Sequence, residues 1–559
     1  MATLQFKGKT FVQNHHLSVK YHQLVAKKKL SLTKNLSLHD NLIIQGDNLK
    51  ALKALLPTYS GRVDCVYIDP PYNTGKENWI YNDNVNSPML QEWLGKVVDK
   101  EDLTRHDKWL CMMTPRIKLL RELLSEDGLI LIHIDDYEIH SLRYLMDEIF
   151  GRENLACNFI WRTDGNFDNQ AKIKICHEYI VAYSKNIEQF KAPAVIDPNT
   201  EEGSKLFKEQ IRNTIVKNGP KNPQSILKLP IGFPANFENG VIKKRTSSWP
   251  IYHRDAIIKN YKLDNEVEIE SGWSSKELFE EYVNGGLIPI KDNKGQESRF
   301  EIISSGAIEV IKQRSAEQSH VLSVLMNMGN TQSMSITLKE IGIDFDYPKP
   351  VSLSKYLLSL INKKNAIILD SFAGSGTTAH AVLELNKEDG GSRKFILVEQ
   401  EDYANSVTAE RMRKVINGVA AAKSDNLKNG LGGTFSYFEL GPTIEMESIL
   451  QGKNLPSYEE FARYIFYTAT GEEFDAKNIN VNTGYIGETK NCELYMFYKP
   501  DIEWLKRNAL TLDGVRAMPK FKGKQRLVFA PAKYVDDYTC IDNRIDFCQL
   551  PYEIYKIQK

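Results

Sequence analysis

Short apolar runs alternating with amphipathic helical segments, a glycine-rich turn between a strand and a helix, and a long irregular stretch interrupting the alternation together predict an α/β fold. The expected architecture is one largely parallel sheet whose two halves are separated by an insert. Length agrees, because 559 residues at about 150 per domain allow three or four domains. The 42% hydrophobic and 26% charged fractions exclude a mostly disordered, collagenous or coiled-coil chain. No apolar run approaches the roughly 18 residues that a spanning helix needs. Met1 to Thr10 also lacks the apolar segment of a secretory signal, so a cytoplasmic protein with no membrane attachment is expected.

The first forty residues carry seven lysines and no acid before Asp40, which predicts a basic N-terminal arm over 1–40. From Asn41 the alternation begins: LIIQGD as a strand, NLKALKALLP as a helix, VDCVYIDPPY as a strand. It continues through a helix over Thr114 to Leu124, the strand GLILIHID and the segment HEYIVAYSK, giving a first half-sheet over 41–186. Residues 187–343 are irregular and rich in Gly, Pro and Asn, and are expected to form an insert with its own fold. The pattern resumes over 344–440, where NAIILD reads as a strand, SFAGSGTT as a turn, AHAVLELN as a helix and KFILVEQ as the next strand. Residues 441–559, with IEWLKRNAL, RLVFAPAKY and a Tyr-rich end, predict a mixed α/β C-terminal domain. No internal repeat or low-complexity tract is present.

The seven cysteines form no CxxC pair and several lie inside apolar runs, so buried thiols are expected, with neither a zinc site nor a disulfide framework. Basic and acidic residues balance at 72 each, so net charge names no partner. Distribution says more, because Ser204 to Arg254 holds ten basic residues against two acidic ones. Such a run is either a solvated face or a surface that tracks phosphates. Phe233, Phe237, Trp249 and Tyr252 interleave with Lys243, Lys244, Arg245 and Arg254, a mixture that suits unstacked bases and phosphates or a small core. Lys243, Lys244 and Arg245 are the expected nucleic-acid contacts.

In LDSFAGSGTT a strand enters a turn with two glycines and then a helix, whose free N–H groups favour an anion. No lysine follows the second glycine, so the turn is not a Walker A loop; Gly8-Lys9-Thr10 fails too, because Thr3 stands at the first glycine position. A dinucleotide fingerprint would need a glycine where Ala379 stands, although that pattern sometimes tolerates alanine. Glu399, ending the following strand, is placed to accept hydrogen bonds from ribose hydroxyls.

VDCVYIDPPY ends an apolar strand in Asp69, after which Pro70 and Pro71 stiffen the turn and Tyr72 follows. A carboxylate, an unpaired carbonyl and an aromatic ring at the carboxyl edge of a sheet suit the holding of a planar base. The ring stacks, a contact worth about 1–3 kcal/mol per base. Asp69 and the Pro70 carbonyl accept the two protons of an exocyclic amine, which favours a pyramidal nitrogen able to attack. A target inside duplex DNA has first to be flipped out.

Taken together, these residues resemble the amino-methyltransferases that use S-adenosylmethionine to modify DNA. The order DPPY, basic insert, DSFAGSGTT resembles the β class of adenine-N6 methyltransferases. Within that class, LIIQGDNLKALKALLP, DPPYNTG, HIDDYE and the long C-terminal region resemble the modification (Mod) subunit of type III restriction-modification systems. The specific motifs lie in 41–185 and 344–440. The resemblance implies a Rossmann-like methyltransferase sheet split by a target-recognition domain. It also implies S-adenosylmethionine as cofactor, double-stranded DNA as substrate, a homodimer and a helicase-nuclease restriction subunit as partner. Carried over by position, Asp69, Pro70, Pro71 and Tyr72 hold the target base, Asp47 takes the cofactor adenine and Glu399 its ribose. Asp370, Phe372, Gly374, Gly376, Thr377 and Thr378 wrap its methionine half, and Lys349 reaches the same carboxylate. Asp rather than Ser before the prolines favours adenine N6 over cytosine N4 as a family tendency.

His133, Asp135 and Asp136 could pass for metal ligands but read as a strand end running into a helix capped by an aspartate. Methyl transfer from a sulfonium asks for alignment rather than a metal, and none is expected. Three other readings compete. One is a methyltransferase acting on RNA or a protein side chain. Another is a recognition and assembly subunit with secondary methylation, suggested by the tail from Gly441 to Lys559. The last, a nicotinamide oxidoreductase, leaves DPPY unexplained.

Overall fold

The computed structural model describes residues 4–74, 104–163, 172–208, 210–293, 295–313, 319–444, 455–519 and 523–550. Gly75 of DPPYNTG, Glu209 of the basic run and residues 551–559 of the Tyr-rich end lie outside them. Two compact units are present, 1–194 with 321–559, and 195–320.

In the larger unit, among the described residues, ten strands make one sheet: β1 (His22–Ala26), β2 (Leu42–Gln45), β3 (Val63–Ile68), β4 (Leu124–Ile134), β5 (Leu155–Arg162), β6 (His177–Ser184), β7 (Val324–Leu325), β8 (Ile367–Asp370), β9 (Lys394–Glu399) and β10 (Ser436–Thr443). Their order is β1-β10-β2-β9-β8-β3-β4-β6-β5-β7. From β10 through β4 every neighbouring pair is parallel, with Leu369 of β8 opposite both Val66 of β3 and Ile396 of β9. Strands covered on both faces can be apolar throughout. Accordingly Leu42 to Ile44, Cys65 to Ile68, Leu129 to Ile132 and Phe395 to Val398 are all buried.

Helices α1 (Asn48–Tyr59), α2 (Arg105–Leu123), α3 (Val351–Ser359) and α4 (Thr377–Asp389) contribute to the crossovers. The Asp47 carboxylate caps α1 by accepting from Lys50 N at 3.0 Å, and Leu49, Leu52, Leu55 and Leu56 are buried in the core. Chain order decides where a ligand fits. β3 leads to β4 on one side and β8 to β9 on the other, so their carboxyl ends flank a topological switch point, where open α/β sheets bind ligands.

Three expectations about organisation change. Residues 4–40, the described part of the expected arm over 1–40, are not a loose arm: Val12 and Tyr21 are buried in the main core, and β1 pairs antiparallel with β10 at the sheet edge. The insert is the compact unit Val195–His320 rather than 187–343; Val324–Leu325 already belongs to the large sheet as β7. The C-terminal region has its own sheet of Tyr485–Glu488, Cys492–Met496, Gln525–Ala530 and Ile545–Gln549, yet Phe461, Ile465, Leu494 and Phe529 share the main core. Within that sheet the buried Arg526 guanidinium is paired with Glu493 at 3.2 Å. All seven cysteines are free thiols.

The insert is built from small antiparallel sheets around Phe233, Phe279, Tyr282 and Phe300, whose rings meet edge-on or tilted at 5.3–6.1 Å. No described helix is long and apolar enough to cross a membrane.

Candidate active site

The chain leaves β3 at Asp69 and turns through Pro70 and Pro71, which cannot donate to a ladder. The Trp109 indole on α2 donates to the Pro71 carbonyl at 2.7 Å. Asn73 then takes a left-handed conformation (φ 60°), which asparagine tolerates better than most residues, and is fully buried. Its amide donates to the buried Glu138 carboxylate, which also lies 2.6 Å from His106 Nδ1. Glu138 ends the HIDDYE stretch, and with Trp109 it fixes the path of the tetrad loop from below.

Around Asp69 lies a charge cluster. Lys349 Nζ is 3.0 Å from Asp69 Oδ2 and 3.4 Å from Glu178 Oε2, and it sits 4.9 Å from the Tyr72 ring centroid. The Tyr72 phenol donates to Glu178 Oε2 at 2.8 Å. Glu178 is the second residue of β6, which runs antiparallel to β4, so its first residues lie at the same edge as the end of β3. Burial opposes the charge on Asp69, but Lys349 holds the carboxyl below its usual range. Burial likewise opposes the ammonium, yet Asp69 and Glu178 push Lys349 up to about 12. Asp69 and Lys349 are therefore both charged near neutrality. Asp69 Oδ1 is buried with no hydrogen-bond partner, the kind of orphan that calls for an incoming donor.

At the end of β8, Asp370 organises the glycine turn. Its Oδ1 accepts from Phe372 N at 3.0 Å and its Oδ2 from Thr378 Oγ1 at 2.5 Å. Burial pushes its carboxyl up to about 7, against the pull of those two bonds. Gly374 and Gly376 have φ of 50° and 81°; a Cβ at Gly374 would stand 3.3 Å from Phe345 Cζ, so side chains here would be strained and would fill the cradle. Thr377 opens α4 and donates to the Lys349 carbonyl at 3.2 Å, linking this turn to the tetrad cluster. Beneath the turn the fully buried Arg411 donates to Ser375 O, Ser375 Oγ and Thr377 Oγ1 at 3.2, 2.7 and 3.0 Å. Asn48 of α1 reaches Ser371 O at 3.1 Å, while the Ser371 hydroxyl is buried without a partner.

Glu399 is at the end of β9, adjacent to β8. Its two oxygens accept from Gly374 N at 2.6 Å and Glu401 N at 3.0 Å, and the Gly46 N–H donates to its carbonyl at 2.9 Å. A carboxylate has about four lone-pair positions, so those bonds leave capacity for hydroxyl donors. The Gly46-Asp47 turn, Glu399 and the glycine turn thus share one edge. Lys349 departs from the sequence expectation, since its ammonium is engaged by Asp69 and Glu178 rather than aimed at the glycine turn. His133, Asp135 and Asp136 diverge: the His133 ring is buried 2.7 Å from the Tyr67 hydroxyl, Asp135 accepts from Tyr137 N in a turn, and Asp136 accepts from Tyr179. Burial pushes His133 down to about 3, so the ring is neutral.

In the insert, the expected nucleic-acid contacts are largely occupied. Arg245 donates to the Pro250 and Ser305 carbonyls at 3.0 and 2.8 Å and lies 5.2 Å from the Tyr252 ring centroid, holding the insert together. Lys243 pairs with Asp255 at 2.9 Å, while the Lys244 side chain is exposed. Phe233 and Tyr252 are core residues, Phe237 packs against that core, and Trp249 is the exposed one of the four aromatics. Sequence reasoning counted Lys217 and Lys221 in the basic run but did not single them out; both are exposed on a loop clamped by Lys217 N to Gly272 O at 2.8 Å and Gly272 N to Asn218 Oδ1 at 2.6 Å. It missed Glu178, Arg411 and Glu138. For Glu178 the available signal was an acid second in the strand HEYIVAYS, just ahead of its apolar run.

Residues 63–410 match the family described as DNA methylase (N6_N4_Mtase). The chain is 34% identical over 390 residues to the EcoPI Mod subunit of Escherichia phage P1, a type III restriction-modification enzyme, covering 65% of this chain and 58% of the relative. It is 31% identical over 382 residues to the StyLTI Mod subunit of Salmonella typhimurium, covering 66% and 53%. It is also 31% identical over 379 residues to the type II methyltransferase M.KpnI of Klebsiella pneumoniae, covering 66% and 82%. The chain thus spans 53–58% of the length of these two Mod subunits. With a match that runs from the strand carrying the tetrad through the insert to the far side of the glycine turn, the chain belongs to the DNA methylase family.

Proposed function

We propose that this protein is an S-adenosylmethionine-dependent DNA methyltransferase that modifies the N6 amino group of a flipped-out adenine, as the modification and recognition subunit of a type III restriction-modification system. One observation carries the reading: the base-holding tetrad and the glycine turn stand at the carboxyl ends of adjacent strands, β3 and β8, at the switch point of the sheet. Mod subunits among the relatives favour adenine, double-stranded DNA and a helicase-nuclease partner, and the reading extends to a homodimer.

The residues present fit the cofactor. Gly374 and Gly376 leave a cradle that side chains would fill, Asp370 offers a carboxylate for the methionine ammonium, and Glu399 has lone pairs left for ribose hydroxyls. When bound, S-adenosylmethionine supplies a methyl group on a cationic sulfur that departs as a neutral thioether. The chain's own work is alignment and hydrogen bonding. Tyr72 stacks on the base. Asp69 Oδ1 and the Pro70 carbonyl accept the amino protons, turning the nitrogen lone pair toward the methyl carbon. The amino proton displaced by methylation would be taken up at Asp69 and passed on to water.

Within the insert, Lys217 and Lys221 are the better phosphate contacts, being exposed on a clamped loop and without an ion pair among the described residues. Replacing both by alanine should reduce the slope of log affinity against log salt by about 2, at roughly 0.9 per phosphate contact. Arg245→Ala should instead lower the insert's unfolding temperature and leave that slope unchanged. Filter binding from low to high salt, with thermal unfolding, checks both. Equal slopes for the double variant and the unaltered protein would remove this loop from the interface.

Transfer of labelled methyl groups to duplex DNA tests the function as a whole, with Asp69→Ala as control.

A further inference from the structure

A carboxylate that sequence reasoning passed over stands behind the tetrad. Glu178 Oε2 accepts from the Tyr72 phenol at 2.8 Å and lies 3.4 Å from Lys349 Nζ, which is itself 3.0 Å from Asp69. The Lys349 side chain is only 10% exposed, so little water screens these contacts. We infer that Glu178 is a positioning residue of the transfer reaction: it holds the Tyr72 ring in its stacking orientation and shares the Lys349 charge, so that Asp69 keeps its negative character toward the incoming amino group. This inference rests on the reading of the site as one that methylates an exocyclic amine.

Charge counting gives the reason. Two carboxylates and one ammonium leave the cluster with a single excess negative charge. The amino nitrogen becomes positive as its bond to the methyl carbon forms, and fixed negative charge is worth most where charge develops in a water-poor site. Were Glu178 neutral, Lys349 and Asp69 would form a closed pair with no net charge, and Asp69 would be a poorer acceptor for the amino protons. The same loss would leave the Tyr72 hydroxyl a weaker, uncharged acceptor, so both the hold on the stacking ring and the acceptor at Asp69 would degrade by removal of one charge. Lys349 then has a defined part: it keeps Asp69 ionised, and Glu178 prevents it from doing more than that.

The test uses the full chain and duplex DNA of mixed sequence. Turnover of labelled methyl transfer and the dissociation constant for S-adenosylmethionine are measured for the unaltered protein and for Glu178→Gln and Glu178→Asp. Glu178→Gln should lower kcat about 100-fold with cofactor affinity changed by less than about twofold, in line with loss of one electrostatic partner. Glu178→Asp keeps the charge and should exceed Glu178→Gln by about tenfold, a rescue that an uncharged scaffold role would not give. Unchanged kcat in Glu178→Gln overturns the inference. So does a Glu178→Asp variant as slow as Glu178→Gln, if both still bind cofactor. Absence of transfer by the unaltered protein would overturn the reading of the site itself, an outcome distinct from losses confined to the variants.

Discussion

Asp69→Ala is expected to reduce methyl transfer by about 10²–10³-fold or more, the range seen when one preorganised hydrogen-bonding partner is removed from a transition state. The carboxylate combines a buried oxygen that has no hydrogen-bond partner with a second oxygen anchored on Lys349. Alanine removes the acceptor and leaves the buried Lys349 paired only with Glu178. The contacts that build the proposed cofactor cradle come from Asp370, Glu399, Asn48 and Arg411, none of which hydrogen-bonds to Asp69. Cofactor affinity should therefore change by less than about threefold, under 1 kcal/mol. Equilibrium binding of labelled S-adenosylmethionine beside single-turnover transfer separates the two effects. Equal loss of binding and transfer would place Asp69 in the cofactor site instead.

Asp370→Asn is expected to act in opposite directions on stability and function. Burial raises this carboxyl from 3.8 to about 7, so the folded protein holds a proton here that the unfolded chain has released. The contribution of Asp370 to stability is full below about pH 3.8 and is lost as pH rises through about 7, because over that window the folded state binds more protons. Between pH 5 and 8 the ligand-free protein should lose up to a few kcal/mol through this group. The asparagine side chain carries no charge to desolvate, and its oxygen can still accept from Phe372 N. At pH 8 the substituted protein should unfold at a higher temperature than the unaltered one, with the difference shrinking toward pH 5. Its affinity for the cofactor should fall by tenfold or more, about 1.4 kcal/mol, because the anion for the methionine ammonium is gone. Function held at the cost of stability is a recurring property of ligand sites. A stability difference between the two proteins that is no larger at pH 8 than at pH 5 would remove Asp370 as the source of the pH dependence.

The parallel centre of the sheet was legible because strands buried on both faces must be apolar along their whole length. LIIQ, VDCVYI and KFILVE announce themselves for that reason. β1, β5 and β7 did not: HQLVA and LACNFIWR mix polar and apolar residues, β7 is only two residues long, and all three owe their pairing to tertiary context. The lysines of the first forty residues suggested an arm, whereas Val12 and Tyr21 anchor that segment in the core. Helix α2 begins at Arg105, well before the stretch from Thr114 that periodicity indicated, because Pro115 inside it reads as a breaker.

The site divides in the same way. Asp69 to Tyr72 and the glycine turn are each contiguous, so both motifs stand out in the residue order, and the roles proposed for them come with the family resemblance. Glu178 and Lys349 meet Asp69 from distant parts of the chain, and only the sheet order brings them together. A run of basic residues cannot reveal which cations are already paired: Lys243 and Arg245 are engaged within the insert, and Lys217 and Lys221 are exposed on a clamped loop.

The central claim is that β3 and β8 place a flipped adenine against the methyl donor. Incubation of the full chain with labelled S-adenosylmethionine and mixed-sequence duplex DNA, followed by nucleoside analysis, tests it most directly. The account predicts label in N6-methyladenine alone, with none when Asp69 is alanine. Label in N4-methylcytosine, or tight cofactor binding with no label in DNA, would contradict it.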